Sequence, residues 1–368
     1  MTEVGGRVRL EQVEQRLTMA YGPRSSLHQV PTSRNSRNRA PRATVRSGWL
    51  RRAAFRRITV RTASICCLPA LVLAADISFP STAAGVTARP PTTVSHYEAS
   101  IDPSALVAQG RAAGETGAGG LAILDFGRPA VDGSTSGTID FDGNFISLNT
   151  IATVTLDYVR GYFASAPPAL HLAVAIGTNN SCGSGQPCGT TVCGCKFEPP
   201  SFATWGAELA ATVEQTQSSV NSLRGHSGYS DLVEVVAGDD AEPAFDPEYQ
   251  NTHDLLAGYA DAVGGFQPAM VDFGSAEPGF WSNGQLLQVA DGFGPDVAVP
   301  EAYSGSEVST WAALVAYAES RGRVITVFGV LTNTAKGYSP RVAYSSLLNA
   351  IQPITGQTSI RWSSDITH

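Results

Sequence analysis

From Gly120 to the C-terminus, short apolar runs alternate with segments of helical spacing, and this alternation limits the fold more than any other feature of the chain. Apolar runs at 121–126, 170–176, 232–237, 269–273, 297–299, 324–330 and 360–362 read as strands. Between them, apolar residues recur with the period of a one-sided helix over 145–166, 202–223, 254–263, 285–290, 308–320 and 342–351. Strict strand–helix alternation requires parallel strands joined by right-handed crossovers. Near-continuous apolar strands require burial on both faces. About 250 residues are involved, the usual size of a (β/α)8 barrel. The expected fold class is therefore α/β, a (β/α)8 (TIM) barrel over 119–368. Seven strands are visible, and the eighth is expected at 96–101 or at 138–141. An open doubly wound sheet is the alternative. A dinucleotide-binding sheet of that kind wants G-x-G-x-x-G after its first strand, whereas the glycines Gly114, Gly117, Gly119 and Gly120 precede it.

Charge divides the chain. Residues 1–61 carry 14 Arg and 3 acidic residues, whereas residues 62–368 carry 11 Lys and Arg against 29 acidic residues. The basic part reads as a leader. Arg51, Arg52, Arg56, Arg57 and Arg61 precede an apolar run over 63–75, which Asp76 ends. Such a run suits the core of a signal peptide and is short for a membrane span. Small residues around Ala84 and Ala88 suit cleavage. The expected organisation is a disordered basic leader at 1–58, a signal peptide at 59–88, a linker at 89–118 and the barrel at 119–368. An uncleaved anchor is the alternative to cleavage, and Met19 is an alternative start. The expected location is outside the cell or at the cell wall, with no membrane contact once the signal is removed. The acidic body repels nucleic-acid phosphates and anionic membranes, so neutral glycans are the better partners and nucleic acid is not expected.

Beyond the leader lie four cysteines, Cys182, Cys188, Cys193 and Cys195. In an exported chain an even number in one short stretch reads as two disulfides pinning a loop. Cys193–Cys195 is the least favourable pairing, because one intervening residue strains the bridge. A four-thiolate zinc site is the rival, but the spacing departs from paired C-x2–4-C knuckles.

Barrel active sites form at the carboxyl ends of the strands, and acidic residues gather there. Asp125 ends the first apolar run. Asp239, Asp240 and Glu242 follow the third, in Asp-Asp-Ala-Glu-Pro. Asp272 and Glu277 belong to the fourth, Glu301 follows the fifth, and Asp365 follows the last. Glycoside hydrolysis needs two carboxyl groups in different protonation states. Aromatic residues suited to stacking on sugars, Tyr303, Trp281 and Trp362, are expected on the same rim. Asp125 has ordinary alternative roles in anchoring a loop or pairing with Arg128, and Asp239 and Asp240 have one in capping the helix or turn after the third strand.

With this layout, its Asp-Asp-Ala-Glu-Pro segment and its closing Arg-Trp-Ser-Ser-Asp, the chain resembles the barrel glycoside hydrolases and glycoside-hydrolase-like secreted proteins of actinobacteria over about residues 119–368. A chitinase-like D-x-x-D-x-D-x-E run is absent, and Asp240-x-Glu242 is similar to the D-x-E of lysozyme-like barrels. The resemblance implies Glu242 as acid with Asp240 or Asp125 as partner, Asp272 as a further catalytic candidate, and Tyr303, Trp281, Glu301, Glu277 and Trp362 as substrate-binding candidates. It implies a polysaccharide or cell-wall glycan as substrate; no cofactor is expected, the six scattered His argue against a metal, and a monomer is expected. A barrel that binds glycan without cleaving it is the alternative. G-x-S-x-G, H-E-x-x-H and G-x-x-x-x-G-K-[ST] are all missing, which argues against serine hydrolase, zinc protease and nucleotide-hydrolase chemistry.

Overall fold

The computed structural model describes residues 89–99, 101–165, 170–180, 198–224, 232–247, 249–264, 268–277 and 279–367. The stretches expected to form the leader and the signal peptide, and all of the cysteines with their expected disulfides, lie outside the described residues.

Eight strands form one all-parallel sheet that curls nearly shut. In chain order the elements are β1 (Thr92–Tyr97), α1 (Pro103–Glu115), β2 (Gly120–Asp125), β3 (Arg128–Asp132), β4 (Thr135–Ile139), β5 (Phe145–Ser147), α2 (Leu148–Ser165), β6 (Leu172–Asn179) and α3 (Phe202–Arg224). There follow β7 (Val233–Asp240), α4 (Gln250–Val263), β8 (Met270–Asp272), α5 (Asn283–Asp291), β9 (Asp296–Ala298), α6 (Gly305–Ser320), β10 (Gly329–Thr332), α7 (Pro340–Thr355) and β11 (Trp362–Thr367). The sheet order is β10-β11-β1-β2-β6-β7-β8-β9. Its two ends meet through backbone bonds from Phe328 N–H to the Ala298 carbonyl at 2.9 Å and from Leu331 N–H to the Pro300 carbonyl at 2.9 Å. The (β/α)8 barrel expected from the alternation is thus the observed architecture. No helix among the described residues is long and apolar enough to cross a membrane.

The first strand lies at Thr92–Tyr97, overlapping the earlier of the two expected positions. The other position belongs to a separate three-stranded antiparallel sheet, β3-β4-β5, inserted after β2. The stretch 89–118, expected as linker, holds β1 and α1. The last strand continues past Trp362 to Thr367.

Local chemistry starts and stops the helices. Asp102 accepts the Ser104 N–H at 2.9 Å ahead of Pro103, which fits the first turn. Ser282 and Gln285 form a reciprocal capping box on α5. Ser339 caps α7 before Pro340, and Gly356 ends that helix at a φ of 73°. Paired helices approach until backbones touch. A Cβ on Gly110 of α1 would lie 1.9 Å from the Tyr158 carbonyl oxygen, and one on Gly161 of α2 would lie 2.1 Å from that of Val107.

Two apolar layers result. Leu121, Ile123, Ala173, Ala175, Val236, Val271, Val297 and Val299 fill the barrel interior. The alternate residues of the same strands, among them Ala122, Val174, Val235 and Met270, face the helices.

Candidate active site at the barrel mouth

Strand parity decides which acids enter the mouth. Val236 faces inward, so Asp240 does too, whereas Asp239 faces the helices. The same count from Ile123, Ala175 and Val299 turns Asp125, Asn179 and Glu301 inward. Tyr303 belongs to the interior cluster, and Tyr97 packs against it. Thus side chains from β1, β2, β6, β7 and the segment after β9 meet at one polar layer above the apolar plug.

Three carboxylates converge there. One oxygen from each of Asp240, Glu242 and Glu301 lies within 4.8 Å of the others. Asp240 is buried; its Oδ2 accepts the Asn179 Nδ2–H at 3.1 Å and its Oδ1 has no hydrogen-bond partner. Glu301 is buried, and its Oε1 accepts from the Tyr303 hydroxyl and, at 3.5 Å, from the Tyr97 hydroxyl. The two tyrosine oxygens are 3.0 Å apart. The Lys336 ammonium sits 4.1 Å from the centre of the Tyr303 ring. Glu242 lies just beyond β7 and is only partly buried. Its backbone is held from both sides: Asn180 Oδ1 accepts its N–H at 3.1 Å, and Asn180 Nδ2 donates to its carbonyl at 3.2 Å.

Burial and crowding hold these acids toward the neutral form. Burial pushes Glu242 up to about 7, helped by Glu277 and Asp272 and opposed by Lys336. Burial pushes Glu301 up to about 8, with Glu242 adding to the rise and Tyr303 and Lys336 opposing it. Asp240 is raised well above the usual carboxylate range by burial, then by Glu301 and Glu242. Asp125 is raised to about 7, chiefly by burial, while the Gly127 N–H at 2.9 Å from its Oδ1 opposes the rise. That contact, and not an ion pair with Arg128, is what Oδ1 makes; Oδ2 is buried without a partner. Among the described residues no ion pair holds Asp125, Asp240, Glu242 or Glu301.

The other expected residues lie elsewhere. Asp272 is buried on the helix-facing side of β8 next to Asp239; its Oδ1 accepts the Gly274 N–H at 3.2 Å, and burial raises it to about 7. Glu277 is exposed on the rim, near enough to act on Glu242. Trp281 is buried in the helix layer, its Nε1–H donating to the Asp246 carbonyl at 2.5 Å. Trp362 begins β11 and so lies at the amino end of the barrel, away from the mouth, tilted against Phe328 at 6.2 Å. Asp365 is tied to Thr334 by bonds of 2.8 and 2.7 Å. Tyr97, Asn179, Asn180 and Lys336 were not expected at the site. The scarcity of lysine, two in 368 residues, was the signal available for Lys336.

The barrel and its acidic cluster are compatible with glycoside hydrolysis. Comparison with protein-family models, curated proteins and solved structures finds no match to this chain.

Proposed function

We propose that this protein hydrolyses glycosidic bonds in a polysaccharide or cell-wall glycan. The observation that carries the reading is the meeting of Asp240, Glu242 and Glu301, with one oxygen of each within 4.8 Å, at the carboxyl face of the barrel. Retaining glycosidases hold their two carboxyl groups about 5–5.5 Å apart, and inverting ones about 6.5–9.5 Å. The close spacing favours retention.

Glu242 suits the acid. It is the most accessible of the three and is poised near neutrality. Glu301 suits the nucleophile by its place: its Oε1 accepts from two tyrosine hydroxyls, and Tyr303 and Lys336 oppose the rise that burial and Glu242 impose, so it acts in the fraction of molecules in which it is ionised. Glu301 attacks the anomeric carbon while the leaving oxygen takes the Glu242 proton. Water then attacks the glycosyl ester, Glu242 takes its proton back, and Glu301 departs as carboxylate. Asp240, held toward its neutral form by burial and by the two glutamates, offers a hydrogen bond to the sugar beside them. The alternative, a barrel that binds glycan without cleaving it, is less favoured: in it these acids would be tied to arginines.

The sequence of the leader supports action outside the cell, with neither nucleic acid nor membrane as partner. The test is reducing-sugar release from peptidoglycan, chitin and other polysaccharides by the parent beside Glu242→Gln and Glu301→Gln. Release that both variants lose supports the assignment. No release from any glycan, with the fold intact, rejects it.

A further inference from the structure

We propose that the barrel mouth binds one hard divalent cation, of the size of Ca2+, through Asp240, Glu242 and Glu301. The three carboxylates offer oxygens within 4.8 Å of one another. Ca2+ holds its ligands at about 2.3–2.6 Å, so oxygens on opposite sides of it stand about 5 Å apart. Mg2+ demands near-ideal octahedral geometry and keeps several of its waters, so a cage of protein carboxylates suits it less well. The group contains no thiolate and no imidazole, so its chemistry selects hard cations over zinc or copper.

A second observation, outside the cluster, points the same way. Asp125 is 0% exposed, and strand parity aims it into the same layer. Its Oδ2 has no hydrogen-bond partner, and the same holds for Asp240 Oδ1. On β6, between their two strands, Gly177 pairs with Asp125 and Asn179 with Asp240, so no side chain of β6 stands beside Asp125 at its own level of the layer. Buried polar atoms without partners demand a counterpart. The protein supplies none: Lys336 rests on the Tyr303 ring and makes no ion pair with the three acids among the described residues. A cation coordinated by the three carboxylates provides that counterpart to Asp240 Oδ1, and its charge acts on Asp125, which faces the same layer and raises Asp240.

The inference stands apart from glycan cleavage. The oxygens that hold the cation are those that hydrolysis uses, so at this site the two exclude one another, and bound cation blocks cleavage.

The test is calorimetric titration of CaCl2 into the metal-free full chain, with MgCl2 as comparator, on the parent, Glu301→Gln and Asp240→Asn. Circular dichroism checks that each variant is folded. The expected result is one saturable Ca2+ site in the parent, weakened tenfold or more in each folded variant, about the loss a removed ligand or its support causes. Ca2+ then raises the melting temperature of the parent more than that of either variant at the same concentration. Absence of saturable binding up to about 10 mM Ca2+, beyond the range of weak protein sites, overturns the proposal. So does affinity unchanged in both variants, or tighter binding of Mg2+ than of Ca2+. A chain that binds Ca2+ yet releases no sugar without it keeps the cation site and defeats the hydrolase reading; sugar release without Ca2+ binding does the reverse.

Discussion

Asn180 grips Glu242 by its backbone, accepting its N–H at 3.1 Å and donating to its carbonyl at 3.2 Å, while the same amide nitrogen reaches Thr252 Oγ1 at 2.6 Å. One side chain at the end of β6 therefore fixes where the first residue pair beyond β7 can stand. Asn180→Ala is expected to lower glycan release 10- to 100-fold, the usual cost of losing a supporting partner, mainly in kcat, and to lower stability by about 1–3 kcal/mol. Steady-state kinetics beside a thermal melt check it; unchanged kcat would show that Glu242 is held by something else.

Glu98 follows β1 and is 4% exposed, with Gln109 Nε2 donating to its Oε2 at 3.4 Å. Burial pushes it up to about 7 from the usual 4.5. In the folded chain it keeps its proton up to about pH 7, whereas in the unfolded chain it loses it above 4.5. The folded state thus binds more protons in that window, and stability falls as pH rises through it. Each tenfold gain in proton affinity is worth about 1.4 kcal/mol, which makes the loss on the order of 3 kcal/mol. Asp125 and Asp272, raised to about 7 by burial, act in the same direction. The melting temperature is expected to fall between pH 5 and pH 8, and less steeply in Glu98→Gln. Parallel slopes would refute the role of Glu98.

Gly110 and Gly161 let α1 and α2 touch, and any Cβ would press on a carbonyl oxygen of the facing helix. Gly161→Ala is expected to destabilise by about 1–3 kcal/mol, the usual cost of overpacking, despite alanine's better helix propensity. Chemical denaturation measures it, and a stabilised variant would mean that the helices can part freely.

Trp362 belongs to the amino end of the barrel, packed with Phe328 inside the interior cluster. Trp362→Ala is expected to cost about 3–5 kcal/mol of stability. The milder Trp362→Phe is expected to leave sugar release per folded molecule unchanged. Weakened glycan affinity in Trp362→Phe, measured on a folded sample, would restore Trp362 to the substrate.

The barrel was legible wherever strands were apolar on both faces, and obscure where they were not. β1 reads Thr-Thr-Val-Ser-His-Tyr, because its inward residues carry hydroxyls. Thr93 donates to the Leu121 carbonyl, Ser95 accepts the Ile123 N–H at 2.8 Å, and the Ser95 and Ser364 hydroxyls lie 2.7 Å apart. Hydrophobic patterning cannot see such a strand, and with β1 hidden, Tyr97 was hidden too. The polar tail of β11 was lost for the same reason, which made Trp362 look like the end of a strand when it is the start. Asp125, Asp240, Glu242, Glu301 and Tyr303 were legible as neighbours at the mouth because they stand at or just beyond the carboxyl ends of strands. Asp272 occupies such an end as well, but a change of one residue in parity sends a side chain to the other face of the sheet.

The hydroxyl seam joins the first strand of the barrel to the last, with Thr92 paired to Ser363 and His96 to Thr367. A ribosome that has made everything up to Arg361 has therefore made a sheet with two raw edges, β10 and β1, and no ring. Closure waits for the six residues of β11, and the longest sequence separations in the sheet are the last to be satisfied, which slows folding. Until β11 docks, the bare edges of β10 and β1 stand open to pairing with strands of another chain.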